Sequence, residues 1–205
     1  MSRDDYLFAK HDWFAVVQHQ KGMAAQKAAK MTSADFASHS VDELATMIAS
    51  ELSLEPPTIF PADIDVKQRE VDVEVDRTQG YYLGGGEPRR VRGTAIDVRL
   101  PFTGDAGMFA IQPTTTNYSQ PRAAVRGAFL GFTITGVGLT ADQVRARIDE
   151  TVKSITQYLE WQSQSVGNYP AEIKQVAFDA LTQRKSKIDA DNALANNLGF
   201  KTRND

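Results

Sequence analysis

The sequence predicts an α+β fold, in which an antiparallel sheet of about four or five strands has helices on one face and is followed by a C-terminal helical hairpin. Between residues 59 and 134, apolar and polar residues alternate with a period of two, which is typical of strands with one buried face. Residues 140–198 instead repeat apolar side chains at steps of three and four, the period of an amphipathic helix. The predicted strands follow one another without intervening helices, so neighbouring strands are expected to be antiparallel.

The first 55 residues are predicted to be mainly helical. The stretch around Trp13 has no clear period, and both a helix and a short strand remain open there. Ser40 and Glu43 form a capping box, in which each side chain accepts a hydrogen bond from the other residue's backbone amide. The apolar residues that follow lie on one helical face and predict a helix from Val41 to about Leu52: Val41, Leu44, Ile48 and Leu52. Pro56 and Pro57 end it, because the residue before a proline is disfavoured in helical conformation.

Two strands have a clear alternation in the middle of the chain. The first alternates valines with carboxylates: Val71, Val73 and Val75 with Glu70, Asp72, Glu74 and Asp76. The second alternates apolar and charged residues: Ile96, Val98 and Leu100 with Asp97 and Arg99. Further strands are predicted at Met108–Gln112 and at Ala124–Ile134. The last of these is apolar on both faces, which favours a central position in the sheet.

The C-terminal helices have clear predicted ends. Thr140 and Gln143 form a second capping box, and Gly167 to Pro170 supplies residues that stop a helix. A second apolar stripe follows, which predicts a hairpin of two helices. We therefore expect a single domain over residues 1–205, with a mainly helical part (1–55), a β-rich core (56–138) and the helical hairpin (139–205).

Composition excludes several classes of protein. The 205 residues contain no cysteine, which excludes disulfides, thiol nucleophiles and cysteine-ligated metal sites. The N-terminus is acidic rather than a basic leader, and no apolar run approaches the ~20 residues that span a bilayer. We therefore expect a cytoplasmic protein without a membrane span. A net charge of −3 argues against a nucleic-acid partner, since such proteins normally have a basic excess.

One candidate contact site follows the glycine run Gly84–Gly86. Arg89, Arg90 and Arg92 are suited to an anion or a protein partner, because a guanidinium forks onto oxyanions. The sequence lacks the Gly-Lys-Ser/Thr of a P-loop, and no cofactor is expected. The favoured alternative is a hairpin tip with a solvated basic edge.

A second candidate is catalytic. Asp97 and Asp105, with the carboxylates of the acidic strand, would suit a metal-dependent nuclease or hydrolase if they converged on Mg²⁺. The favoured interpretation is a polar solvent face, with Asp105 as an ordinary turn residue. The three histidines form no zinc motif, so no metal is expected: His11, His19 and His39.

Aromatic residues cluster around the predicted bend of the hairpin: Tyr158, Trp161 and Tyr169. They are typical of an aromatic plug between helix and sheet. If they were exposed, they would instead suit an interface with a partner.

Several of these motifs resemble a known arrangement: residues 93–105 with their Pro-Phe-Thr-Gly-Asp turn, Phe109, Gln112–Thr114, Gln183–Lys185 and Leu198–Gly199. In this order they resemble an accessory domain that precedes effector domains in some bacterial anti-phage and restriction-type proteins. The resemblance covers about Gly93 to Gly199 and implies an effector on a separate chain.

Two functions follow from these observations. The first is a non-catalytic interaction or sensor module, which self-associates, in the simplest case as a homodimer, and contacts a protein partner. The alternative is the small metal-dependent enzyme. The absence of a convergent catalytic signature favours the first.

Overall fold

The structure is a computed structural model that describes residues 6–75, 89–117 and 119–197. Its strands are β1 (His11–Asp12), β2 (Thr58–Ile59), β3 (Asp65–Val75), β4 (Arg89–Thr103), β5 (Ile111–Gln112), β6 (Ala124–Arg126) and β7 (Phe129–Gly136). Its α-helices are α1 (Trp13–Ala29), α2 (Ser33–Ser38), α3 (Val41–Glu51), α4 (Ala141–Val166) and α5 (Tyr169–Asn197). Short 3-10 helices lie at Pro61–Asp63 and Ala106–Ala110. The α+β class is therefore confirmed.

The chain divides into two compact units. The β-rich unit contains the described parts of residues 1–11 and 55–163, and the helical unit those of 12–54 and 164–205. The predicted N-terminal helices and the last predicted helix thus share one unit. The expectation of a single domain stays a prediction.

Antiparallel pairing builds one sheet around β4, as predicted. The strand order is β2-β4-β7-β6, and β3 also pairs with β4. Both β2 and β3 lie along the edge of β4 opposite to β7, with Ile59 beside Phe102 and Asp65 beside Arg99.

Two strand predictions were wrong in their extent. Residues 108–110 belong to a 3-10 helix, and only Ile111 and Gln112 of that segment are in a strand. Its first turn is stabilised by Asp105, whose carboxylate accepts a hydrogen bond from the Gly107 amide. The segment 124–134 is two strands, because Gly127 has a positive φ of 57° and allows a tight turn between β6 and β7.

The sheet has two different faces. Side chains of Val98, Leu100, Leu130 and Ile134 are buried on the face that packs against α4. The strand register places Lys67 beside Asp97, and Asp97 beside Thr133, on the other face. We call these the covered face and the polar face.

Aromatic packing centres the core of the β-rich unit on Tyr158 of α4. Its ring stacks on Phe8 at 5.0 Å between centroids and meets Trp161 edge-on at the same distance. Its hydroxyl donates to the backbone carbonyl of Asn117 at 3.0 Å. One turn further, the buried Gln162 amide donates to the carbonyls of Met108 and Ile111 at 2.7 Å each. These bonds tie α4 to the 3-10 helix.

The core of the helical unit is built from α1, α3 and α5. The helix α1 settles the open question around Trp13, and Asp12 caps it by accepting from the Ala15 amide. The predictions of α3 and its Ser40–Glu43 capping box are confirmed. Buried small and aliphatic side chains line the contacts between these helices: Val17, Ala24, Ala28, Leu44, Ala45, Ile48, Ile173, Ala177 and Leu181.

The helical hairpin is not confirmed. The chain does form two helices, and they are separated by Gly167 and Asn168 as expected. The buried residues of α4 belong to the β-rich unit, whereas those of α5 pack with α1 and α3. Each apolar stripe therefore has a partner other than the neighbouring helix. No helix in the described ranges is long and apolar enough to cross a bilayer.

Tyr169 makes the stability of the helical unit depend on pH in the alkaline range. Its ring packs against Trp13, its hydroxyl donates to the Leu52 carbonyl at 2.6 Å, and burial raises its pKa to about 12. The unfolded tyrosine has a pKa of about 10. The stabilisation is therefore fully present below pH 10 and is lost as the pH rises through 12, by up to about 2.5 kcal/mol.

Urea unfolding between pH 8 and 11.5 measures this loss. We expect Tyr169→Phe to be less stable than the wild type by about 1 kcal/mol at pH 8, because the hydrogen bond is lost. The difference should shrink above pH 10. Parallel pH curves for the two proteins would contradict the assignment.

Candidate functional site

The arginines after the glycine run lie at the start of β4. The register places Arg90 beside Glu74 and Arg92 beside Asp72, and Arg92 forms an ion pair with Glu70 at 3.1 Å. Both partners of that pair are about four-fifths exposed. The acidic strand therefore places carboxylates beside Arg90 and Arg92, which agrees with a solvated edge. Gly84–Gly86 and the side chain of Arg89 lie outside the described residues.

Asp97 and Asp105 occupy separate environments. Asp97 accepts hydrogen bonds from Arg69 Nε and the Thr133 hydroxyl at 2.7 Å each, and these partners lower its pKa, Arg69 the more strongly. Asp105 instead caps the 3-10 helix. A carboxylate held in an ion pair with a lowered pKa is a poor general base, so its contact with a hydroxyl does not make Thr133 a nucleophile.

The acidic strand does not complete a metal site with Asp97. Residues 70, 72 and 74 alternate along β3 and point to the same face of the sheet as Thr94, which lies beside Glu70. Asp97 lies beside Lys67, so its carboxylate points to the opposite face. Asp76 lies outside the described residues. Within 6–75, 89–117 and 119–197, no three His, Asp or Glu side chains lie close enough together to hold a metal ion.

The three aromatic residues do not form one surface. Tyr158 is fully buried and Trp161 partly buried in the β-rich unit, while Tyr169 is buried in the helical unit. Their side chains stabilise cores, as the interpretation of an aromatic plug predicts for Tyr158. An exposed aromatic interface at these positions is not what the structure contains.

The polar face contains a shallow depression of about 510 Å³ that sequence reasoning missed. Its charged lining comes from three strands and consists of Asp65, Lys67, Arg69, Asp97, Arg99 and Arg126. Four of these six side chains are basic, which gives the lining of the depression a net charge of +2. In the sequence, basic side chains do occur at alternate positions of β3 and β4. Only the strand register shows that they lie on the same face of the sheet.

The covered face ends in a groove beside α4, which we call the α4 groove. It has a volume of about 670 Å³ and lies between the first half of α4 and strands β3 and β4. Its apolar lining includes Ile64, Val66, Ile96, Val144 and Ile148. Arg145 and Asp149 form its charged rim on α4.

Comparisons with models of protein families, with curated proteins and with solved structures found no match to this chain. The α4 groove offers apolar area to a macromolecule, and the polar face offers cationic side chains to an anion.

Proposed function

We propose that this chain is a non-catalytic interaction module that self-associates through the α4 groove. The observation that carries the proposal is the incomplete burial of the apolar stripe on α4. Ile155 and Leu159, in the second half of the helix, are buried by the β-rich core. In the first half, Val144 and Ile148 are only half-buried, although they belong to the same stripe.

The floor of the groove is also incompletely covered. Val66 on β3 is 56% exposed, and Ile96 on β4 is half-buried. Apolar area that stays in contact with water costs roughly 25 cal/mol per Å², so covering these residues favours association. A helix that lies beside α4 would bury them against β3 and β4.

A second copy of α4 fits this position by charge. Arg145 and Asp149 lie one turn apart on the groove rim. Two copies of α4 can pack antiparallel about a two-fold axis that crosses the helices at the level of residue 147, midway between Arg145 and Asp149. Arg145 of each copy then lies opposite Asp149 of the other. One patch then supplies both halves of the interface, as a two-fold dimer requires. The apolar Val144 and Ile148 form the centre of the contact.

The resemblance of residues 93–199 to accessory domains supports a further part of the proposal. The dimer would act as a regulatory partner of a separate effector chain in a bacterial defence system. This regulatory role depends on self-association.

Charge reversal on the groove rim tests the dimer. We expect the wild type to dimerise as its concentration rises to tens of micromolar. Asp149→Arg should weaken dimerisation about tenfold or more, because two opposite-charge contacts become repulsive. The double change Arg145→Glu with Asp149→Arg should restore it. Sedimentation over a dilution series, at low and high salt, gives the dissociation constants.

The matched control is Glu150→Arg, which reverses a charge at the next position on α4, outside the groove lining. It should leave the dissociation constant within about twofold. A wild type that stays monomeric at every concentration would refute the proposal. So would a Glu150→Arg variant as weak as Asp149→Arg, or a double variant that fails to recover.

A further inference from the structure

The polar face of the sheet carries an excess of positive charge on a chain whose net charge is negative. The depression there has four basic and two acidic side chains, whereas the whole chain has a net charge of −3. Since the α4 groove is lined by the covered face, this second surface is independent of the proposed self-association. Locally concentrated charge attracts anions even when the net charge of the protein is negative.

The basic side chains of the depression are not all used within the chain. Arg69 is held by Asp97 through two hydrogen bonds, at 2.7 and 3.2 Å. In the described parts of the chain, Lys67 and Arg126 have no carboxylate within ion-pair distance. Both side chains are exposed at the border of the depression. They are therefore available for phosphate or carboxylate groups of a ligand.

Arg99 adds a flat surface between these charges. Its guanidinium carbon lies 4.8 Å from the centroid of the Phe129 ring, so the ring supports the guanidinium from one side. Arginine guanidinium planes and aromatic rings are the side chains on which unpaired nucleobases stack. The phosphates of the strand bind to cationic side chains nearby. A stacking surface combined with cationic side chains is typical of proteins that bind single-stranded nucleic acid.

Gly131 leaves room beside this stack. A Cβ atom at residue 131 would stand 3.6 Å from the edge of the Phe129 ring and 3.7 Å from the Arg126 side chain. Any larger side chain would fill the floor of the depression at this point. With glycine, a flat group can approach the backbone of β7 between Arg126 and the ring.

We propose that the polar face binds single-stranded nucleic acid, with a base on the Arg99–Phe129 stack and flanking phosphates at Lys67 and Arg126. An acidic peptide would bind to the cationic side chains, but it has no base to place on the Arg99–Phe129 stack. A duplex keeps its bases paired and cannot use the stack either. The single strand is therefore the ligand that matches both observations.

Fluorescence anisotropy with labelled single-stranded DNA and RNA of about 12 nucleotides tests the proposal. We expect micromolar binding at about 0.05 M salt, which weakens on raising the salt with a logarithmic slope of about −1.4 for the two phosphate contacts at Lys67 and Arg126. Arg126→Gln should weaken binding about three- to tenfold and reduce the slope by about 0.7. Arg99→Lys keeps the charge but removes the flat surface, and should weaken binding about tenfold.

The matched control is Arg92→Gln, which removes a charge from an exposed arginine on the other face of the sheet and should leave affinity within about twofold. Inorganic polyphosphate, poly-glutamate, a duplex and a nucleoside monophosphate serve as competitors. Equal competition by any of these would overturn the proposal in favour of that class. So would an absence of binding at about 0.1 mM protein, or an Arg99→Lys variant that binds like the wild type.

Discussion

Replacement of Tyr158 by alanine is expected to lower the free energy of unfolding of the β-rich unit by about 4 kcal/mol. The side chain is fully buried and joins three parts of the chain: the ring of Phe8, the ring of Trp161 and the backbone at Asn117. Alanine would leave a cavity where the ring packs and would leave the Asn117 carbonyl without this donor. Urea unfolding monitored by circular dichroism measures the loss.

Tyr158→Phe separates the contribution of ring packing from that of the hydroxyl's hydrogen bond. It keeps the ring and removes the hydroxyl, so we expect a loss of about 1–2 kcal/mol. It also keeps the prediction testable if the alanine variant does not fold. The control is Phe14→Ala in the helical unit, where the ring is 69% exposed and little burial is lost. Equal effects of Tyr158→Ala and Phe14→Ala would show that the core is not centred on Tyr158.

A methyl group at Gly93 is expected to cost about 2–3 kcal/mol. A Cβ atom there would stand 2.5 Å from Cγ2 of Val73 and 2.8 Å from the carbonyl oxygen of Gly136. Both distances are shorter than van der Waals contact allows, and the second contact is with backbone. Gly93→Ala therefore forces β3 or β7 to move away from β4.

A double variant identifies the cause. Val73→Ala removes the first contact but not the second, so adding it to Gly93→Ala should recover only part of the lost stability. The control is Gly22→Ala inside α1, where nothing lies within 4 Å of the added atom. That change should raise stability by about 0.5–1 kcal/mol, because alanine favours helix over glycine. Gly93→Ala with unchanged urea unfolding would show that the strands do not approach as closely as the structure describes.

Local signals were sufficient for several elements. The helix α3 begins and ends close to its prediction, because its capping box and the prolines after it act over a few residues. The strands β3 and β4 follow from alternation, which depends on the two faces of a single strand. The break between α4 and α5 was expected because Pro170, in the first turn of α5, lacks the backbone amide that one continuous helix would need.

The partners of these elements did not follow from local signals. An apolar stripe shows that a helix face is buried but not what buries it, and the structure gives α4 and α5 partners other than each other. Similarly, alternation does not give the register. Only the register places Asp97 on the same face as Arg69 and Thr133, with which it forms hydrogen bonds, and on the opposite face from the acidic row.

Sequence by itself determined the α+β class, the helix ends set by capping residues and the exclusion of cysteine chemistry, because these depend on residue type and short spacing. Tertiary structure alone decided which residues share a surface. The basic residues of the polar face lie on different strands as far as 59 positions apart, from Lys67 to Arg126. The apolar residues of the α4 groove likewise include residues of β3, β4 and α4. Long-range pairing brings such residues together, and it depends on the packing of the whole unit rather than on any local pattern.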